Sequence, residues 1–210
     1  DIAKTKKIKK FIFASSSEIY GEQKKFPITE SAEPKYKSIY GLSKIVSENY
    51  VISYSQKYNL NYNIIRFFNV YGNDQNKNFV ITKFIDQLKK NKPLKIFGSG
   101  SQIRSFCHVN DAINGLMNVF KLGKKNTTYN IGNNLEPISI MKLSKKIIKF
   151  SKLKGKIKKI KFENSDRSKQ REINKRIPDI KLIKRHTNYK PKISIKKGII
   201  EILKQKKILI

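Results

Sequence analysis

Residues 11–21 have the sequence FIFASSSEIYG, and this stretch decides the fold class. Its apolar run ends in three serines, Ser15, Ser16 and Ser17. A short apolar run closed by small polar residues predicts a buried β-strand. Because α/β proteins bind ligands beyond the carboxyl ends of their parallel strands, we expect a ligand-binding edge at these serines.

Outward from this strand, helical and extended patterns alternate along the chain. The patterns predict helices over residues 38–57, 79–90, 110–122, 139–150, 180–185 and 195–206, and strands over 62–68, 94–97, 128–131 and 157–162. Alternation at these lengths predicts an α/β fold with a parallel sheet. A parallel strand needs a neighbouring strand and a crossover before it, and few residues precede Phe11. We therefore expect the chain to begin in the middle of a larger domain.

The charge of the chain is extreme. Its 210 residues include 47 basic and 15 acidic ones, which gives a formal net charge of +32, and only six of the basic residues are arginine. Two interpretations stay open: lysine-rich codon usage in an AT-rich genome, and a surface selected to bind polyanions. Specific nucleic-acid recognition usually relies on arginine forks, so we expect no specific nucleic-acid partner.

Cysteine content and hydropathy indicate the cellular compartment of the protein. The single cysteine, Cys107, cannot form an internal disulfide, which favours a reducing cytoplasm. The sequence has no run of 18 apolar residues, so no transmembrane helix and no membrane partner are expected. It has no zinc-ligand spacing either, and we expect no metal site.

The sharpest local motif is YGLSK, residues 40–44. On a helix Tyr40 and Lys44 share one face, because they are four residues apart. A lysine ammonium beside a phenol favours the phenolate, which can act as a general base or acid on a sugar hydroxyl. Alone, the motif also fits an ordinary surface pair. Its position after the strand that ends in serines favours a catalytic role for the Tyr40–Lys44 pair.

Taken together, six stretches resemble one family. They are FIFASSSEIYG (11–21), YGLSKIVSENY (40–50), IIRFFNVYG (64–72), LKIFGSGSQIRSFCHVNDAINGL (94–116), YNIG (129–132) and RIPDIKLIKRHTNYKPKISIKKGI (176–199). In this order they resemble the nucleotide-sugar epimerase/dehydratase branch of the extended short-chain dehydrogenase/reductases, whose members include UDP-glucose 4-epimerase. The resemblance implies NAD as cofactor and a nucleotide-diphosphate sugar, such as a UDP-sugar, as substrate.

The resemblance also implies a domain plan. We expect the C-terminal part of a doubly wound, Rossmann-like parallel sheet and a smaller mixed α/β substrate-binding domain. Residues 1–75 and 105–122 would belong to the NAD-binding domain, and residues 76–104 and 123–210 to the substrate-binding domain. The sequence contains no G-x-x-G-x-x-G loop, so the first βαβαβ half of the NAD-binding domain is expected to be missing.

Residue roles are carried over from the family position by position. The expected catalytic residues are Ser16, Glu18, Tyr40 and Lys44. The expected cofactor-binding residues are Ala14, Ser15, Phe67, Tyr40 and Lys44. The expected substrate-binding residues are Ser16, Ser17, Asn69, Arg104 and Arg171. Arg167 and Arg176 stay open as alternatives to Arg171 for a second phosphate-binding arginine.

The subclass and the assembly are expectations of the same kind. Dehydratases of the family carry an Asp-Glu pair where this chain has Ser17-Glu18, which favours NAD-dependent C4 epimerisation of a UDP-hexose over dehydration. UDP-glucuronate decarboxylation and other dehydratase or reductase chemistry are the alternatives within the family. An inactive remnant or a polyanion-binding protein is the alternative outside it. Family members pair through the helix that bears the tyrosine, here residues 38–57, so a homodimer is expected.

Overall fold

The computed structural model describes residues 2–6, 8–161 and 172–208. Within this part of the chain the strands are β1 (Phe11–Ser16), β2 (Tyr62–Phe67), β3 (Val70–Tyr71), β4 (Leu94–Phe97), β5 (Ile103–Arg104), β6 (Cys107–His108), β7 (Thr127–Ile131), β8 (Ile138–Ser139), β9 (Ile157–Ile160) and β10 (Lys175–Arg176). The helices are α1 (Ile2–Thr5), α2 (Ile39–Tyr58), α3 (Val80–Lys89), α4 (Val109–Leu122), α5 (Ile140–Ser151), α6 (Lys181–Thr187) and α7 (Ile195–Gln205). A 3-10 turn over Ser17–Tyr20 follows β1 directly.

The central sheet is parallel, with the strand order β1–β2–β7. Phe11 lies opposite Tyr62 and Ser16 opposite Phe67, and Ile65 of β2 lies opposite Tyr129 of β7. Helix α2 makes the crossover between β1 and β2. This arrangement confirms the predicted α/β class. Among the described residues, β1 pairs with β2 alone, so its other edge is open.

Helix α2 forms where the sequence predicted it, but its apolar stripe faces outward. The Ser38 hydroxyl caps it by accepting the Gly41 N–H, and Asn59 ends it in the left-handed conformation. Ile39 is 81%, Val46 54% and Tyr50 66% exposed. The buried face carries small or polar residues: Gly41, Glu48 and Ser55.

Among the described residues, three hydrophobic clusters make the core. The largest joins side chains of α3, β4, α5 and α7. A second lies between β2, β7, α4 and α6. The third surrounds Ile19 and Tyr20 of the turn after β1, together with Ile28 and Phe68. The turn that carries the predicted site is therefore packed into the protein on its apolar side.

The sequence pattern predicts Asn110 or Asp111 as the N-cap of α4, but the structure places the cap at His108. The helix begins at Val109, and the imidazole Nδ1 of His108 accepts the Asn110 N–H at 3.3 Å. The Asp111 carboxylate instead accepts the N–H groups of Lys192 and Ile193 at 2.9–3.1 Å. Its partner is a segment some 80 residues away, which local sequence could not show. No helix in the described part of the chain is both long and apolar enough to span a bilayer.

Candidate active site

Tyr40 and Lys44 lie together in the first turns of α2, beside the end of β1. The Lys44 ammonium donates to the carbonyl oxygen of Ala14 at 2.9 Å. It lies 5.6 Å from the centre of the Tyr40 ring and 5.1 Å from that of Phe13. Tyr40 is 53% exposed, so a ligand can approach the phenol. The structure thus brings the two predicted partners together at an accessible strand end.

Two glycines let the backbone segments of this site approach one another. A Cβ at Gly41 would lie 2.9 Å from the carbonyl oxygen of Glu18, so α2 and the turn after β1 are in close backbone contact. Gly21 has φ +53°, and a Cβ there would lie 1.7 Å from the carbonyl oxygen of Lys35. Both glycines belong to the quoted motifs, and both are required by geometry.

The serines after β1 differ in where their hydroxyls point. Ser16 caps the 3-10 turn and accepts the Glu18 N–H at 3.2 Å, so its own O–H remains available as a donor. Ser17 is buried. The hydroxyl of Ser15 is buried and donates to Glu48 in a short hydrogen bond. Ala14, predicted to touch the cofactor, has an exposed side chain at the middle of the edge strand.

A pair of arginines lies beside the same turn. Arg104 of β5 and Arg176 of β10 are register partners in a parallel strand pair. Arg176 Nη1 lies 2.6 Å from Glu18 Oε1, and Arg104 Nη2 lies 3.1 Å from Glu172 Oε1. Burial, together with the charge of Arg176, lowers the pKa of Arg104 to about 10, and the two carboxylates oppose this effect. The arrangement is a pair of arginines neutralised by two acids.

The remaining predicted site residues have other surroundings. The Asn69 amide donates to the carbonyl oxygen of Ser105 at 3.1 Å. Phe67 is half-buried at the end of β2 and packs against the second hydrophobic cluster. Arg171 and Arg167 lie outside the described residues. Burial raises the pKa of the Cys107 thiol to about 12, so this cysteine is not an activated nucleophile.

A buried polar network, not predicted from the sequence, lies between α2 and the central sheet next to this site. Arg66 of β2 holds Glu48 of α2 through its Nε, at 3.0 and 3.3 Å, and through its Nη2, at 2.6 Å. Its Nη1 donates to the Tyr20 hydroxyl at 2.9 Å and to the carbonyl oxygen of Glu30 at 2.8 Å. The Tyr20 hydroxyl in turn donates to Asn130 of β7 at 2.8 Å. One arginine thus connects α2, β2, β7 and the turn after β1.

The surroundings of Arg66 keep its guanidinium charged. Burial alone lowers the pKa of Arg66, but its hydrogen bonds to Glu48 and the nearby Glu48 charge outweigh burial and raise it. Burial raises the pKa of Tyr20 to about 12, so its hydroxyl stays protonated and can donate. A signal for the network was present in the sequence. Arg66 stands inside an apolar strand, IIRFF, where a charge must find a buried partner.

Comparison with known proteins agrees with this geometry. Residues 1–132 match the sequence family described as "NAD dependent epimerase/dehydratase". The chain belongs to this family. Within the NAD dependent epimerase/dehydratase family, dTDP-D-glucose 4,6-dehydratase of Homo sapiens is 37% identical over 146 residues, which are 70% of this chain and 41% of the human protein. UDP-glucuronate 4-epimerase of Thermodesulfobacterium geofontis is 30% identical over 194 residues, 91% of this chain and 57% of that protein.

Solved structures of the same family superpose over almost the whole chain. UDP-glucuronic acid 4-epimerase from Bacillus cereus, in complex with UDP-glucuronic acid and NAD, matches with a TM-score of 0.88 at 29% identity, covering 97% of this chain and 64% of that one. UDP-glucose 4-epimerase from Thermotoga maritima, with UDP-glucose, matches with a TM-score of 0.89 at 25% identity, covering 98% and 65%. The chain therefore spans about 41–65% of the length of these relatives.

We expect the Arg66–Glu48 pair to be required for stability. Arg66→Met leaves the Glu48 carboxylate buried without its partner, which costs about 3–5 kcal/mol in the free energy of unfolding. The double variant Arg66→Met/Glu48→Leu removes both charges and regains most of that loss, because an apolar pair of similar volume is often neutral. Urea unfolding followed by circular dichroism measures both.

The exposed ion pair of Lys35 and Glu33, at 3.4 Å, gives the matched control. Glu33→Gln changes the stability by less than about 1 kcal/mol, because solvent screens exposed pairs. If the free energy of unfolding of Arg66→Met equals that of Glu33→Gln, the Arg66–Glu48 pair does not hold α2 against the sheet.

Proposed function

We propose that this chain carries the catalytic tyrosine and the nucleotide-sugar site of an NAD-dependent epimerase, which inverts C4 of a UDP-hexose through a transient keto sugar. One observation carries the proposal. The end of β1 contacts the Lys44 ammonium through the Ala14 carbonyl, and the turn that follows contacts Arg176 through Glu18. The predicted acid/base pair and the arginine pair therefore adjoin one short segment, residues 14–18, as the two ends of a sugar diphosphate require.

In the proposed reaction the chain's residues move a proton. The Tyr40 phenolate accepts the proton of the C4 hydroxyl as the C4–H hydride leaves, and the sugar becomes a ketone. The Lys44 ammonium stabilises the phenolate, and the Ser16 hydroxyl donates a hydrogen bond to the reacting sugar oxygen. After the keto sugar turns, hydride adds to its other face and Tyr40 returns the proton. The hydride acceptor and donor in both half-reactions is NAD, when it is bound.

The residues of this chain fit part of the NAD site. Ala14 is exposed near the end of β1, and Lys44 and Tyr40 lie beside it, which supports a contact of these residues with the nicotinamide ribose. Ser15 does not fit the predicted contact with the cofactor, because its hydroxyl donates a hydrogen bond to buried Glu48. The sequence has no G-x-x-G-x-x-G loop for the pyrophosphate. We propose that residues outside this chain supply that half of the cofactor site.

Arg104 and Arg176 form the proposed diphosphate site. Guanidinium forks suit phosphate oxygens, and the register pairing of β5 and β10 presents two of them side by side. Arg176 thus takes the role that the sequence analysis gave to Arg171, since it lies next to Arg104. The proposed substrate-binding domain, residues 76–104 and 123–210, gains support from the hydrophobic cluster that joins α3 and β4 to α5 and α7. Its strand β7, however, belongs to the central sheet with β1 and β2.

Glu18 favours epimerisation over elimination of water. A dehydratase needs a free carboxylic acid at this turn, whereas Glu18 is held by Arg176 at 2.6 Å and follows Ser17 rather than an aspartate. The distinction is visible in the product. Epimerisation leaves the mass of the UDP-sugar unchanged, dehydration lowers it by one water, and decarboxylation lowers it by one carbon dioxide.

We also propose a homodimer and a cytoplasmic setting. The outward stripe of α2, with Ile39, Val46 and Tyr50 exposed, gives a second copy an apolar helix face. We place the protein in a reducing cytoplasm because its only cysteine is a buried, unpaired thiol.

The catalytic assignment is tested by Tyr40→Phe. The chain is assayed with NAD and UDP-glucose or UDP-N-acetylglucosamine. If the chain alone takes up no NAD, it is assayed as a fusion with the N-terminal half of the Thermotoga maritima epimerase. We expect turnover to fall by at least about 10²-fold, since general acid–base catalysis contributes that much, while UDP-sugar affinity is kept. Tyr58→Phe, at the C-terminal end of the same helix and outside the proposed dimer stripe, is the control. Near-normal turnover by Tyr40→Phe would show that Tyr40 is not the acid/base.

The diphosphate site is tested by UDP binding, which does not depend on NAD. Arg104→Ala and Arg176→Ala each weaken UDP binding about tenfold or more, because each removes a charge-assisted hydrogen bond. Arg185→Ala removes the same charge from the exposed surface of α6 and leaves the affinity within about twofold of that of the unaltered chain. Isothermal titration calorimetry measures all three. Equal losses in the three variants mean that UDP senses only the net charge.

The dimer is tested by sedimentation equilibrium. Val46→Glu places a charge in the middle of the exposed α2 stripe and shifts the chain to monomer without unfolding it, because the side chain is already 54% exposed. Gln56→Glu, at an exposed position of the same helix outside the stripe, changes the charge by the same amount and is the control. A chain that is monomeric before substitution, or a Val46→Glu variant that remains a dimer, overturns the proposal.

A further inference from the structure

Residues 137–162 form an uninterrupted basic segment. They contain ten lysines and no acidic residue, with Glu136 and Glu163 as the flanking acids. All ten lysines are exposed, at positions 142, 145, 146, 149, 152, 154, 156, 158, 159 and 161. The ion pairs found among the described residues involve none of them. Codon usage explains many lysines, but it does not explain why acids are absent from this segment.

Four of these lysines lie on one side of α5, and we call Lys142, Lys145, Lys146 and Lys149 the lysine face. Their spacing of three and four residues places them together on the helix. The opposite side of α5 is buried in the largest hydrophobic cluster. Like charges four residues apart destabilise a helix, so this face gains from an anionic surface laid against it.

The turn after α5 extends the lysine face and ends in an apolar tip. Lys152 adopts the left-handed conformation, with φ 57°, and reverses the chain. Leu153, which follows it, is 38% exposed and stands between Lys152 and Lys154. An exposed leucine flanked by long cationic side chains suits a boundary where an apolar phase lies beneath anionic groups.

The composition of this region favours a lipid surface over nucleic acid. Residues 137–162 contain no arginine, so they offer no guanidinium forks for phosphates or base edges. Phe150 of α5 packs against the core and cannot stack on a base. Lysines attract the diffuse charge of anionic headgroups without a fixed geometry. We propose that the lysine face and the tip at Leu153 dock on an anionic phospholipid bilayer.

This inference is independent of the proposed function. None of Ser16, Tyr40, Lys44, Arg104 and Arg176 belongs to the lysine face or to the turn that follows it. Charge reversal on the lysine face therefore leaves UDP binding unchanged, and the failure of one proposal does not affect the other.

The decisive experiment separates the lysine face from the overall charge. Sedimentation with vesicles of phosphatidylcholine, alone or mixed with phosphatidylserine, is measured at physiological ionic strength. The variant K142E/K145E/K146E/K149E is compared with K24E/K25E/K90E/K125E, which has the same net charge and changes exposed lysines elsewhere. We expect the first variant to lose at least about tenfold in partitioning onto phosphatidylserine vesicles, and the second to lose less than about threefold. Equal losses mean that net charge alone binds, and the proposal fails.

A fluorescent probe at the tip tests insertion. The chain has no tryptophan, so Leu153→Trp introduces a single indole, whose fluorescence is excited separately from that of the ten tyrosines. Its emission shifts to shorter wavelength with phosphatidylserine vesicles and not with phosphatidylcholine alone, because the indole enters the headgroup region. No shift with either vesicle overturns the docking. Binding of duplex DNA that depends on the lysine face, without such binding to vesicles, assigns the surface to nucleic acid and overturns the lipid proposal.

Discussion

The buried pair of Arg66 and Glu48 is the interaction on which the site depends. Tyr40, Lys44 and Glu48 recur every four residues along α2 and therefore lie on one side of it. When Glu48 is bound by Arg66, the rotation of α2 about its own axis is set, and Tyr40 and Lys44 are directed to the end of β1. A charge pair out of water persists only when its hydrogen bonds are complete. Ser15, Tyr20 and the carbonyl of Glu30 complete them.

The same logic of paired charges operates at the arginine pair. Two buried guanidinium groups on neighbouring strands repel each other, and Glu18 and Glu172 offset that repulsion. Glu18 belongs to the turn after β1. Its contact with Arg176 therefore joins the arginine pair to the strand end that carries Ser16. An anion that displaces Glu18 from Arg176 would alter the turn beside Tyr40. In the proposed site, this contact would connect the diphosphate end of the substrate to the turn beside Tyr40.

Local features of the sequence predicted much of this structure. The strand at 11–16, helix α2 and the Tyr40–Lys44 pair depend on spacing within a few residues, and each was visible in the motifs. The Arg66–Glu48 pair and the Arg104–Arg176 pair were not, because they join residues that only the folded sheet brings together. The outward direction of the apolar stripe of α2 could not be predicted, for a related reason. Periodicity shows that a helix has an apolar side, but only tertiary contacts show whether the protein's own core covers it.

The hydrogen bond from Lys44 to Ala14 has a consequence for the solubility of this chain. Phe11 donates its N–H toward β2, at Asn61, so by alternation the carbonyl of Ala14 points to the open edge of β1. An open, apolar strand edge is a template on which further strands assemble into aggregates. Lys44 occupies one of its acceptors and places a hydrated charge beside it. The residue proposed to assist catalysis therefore also occupies a backbone acceptor on the side of β1 that faces away from β2.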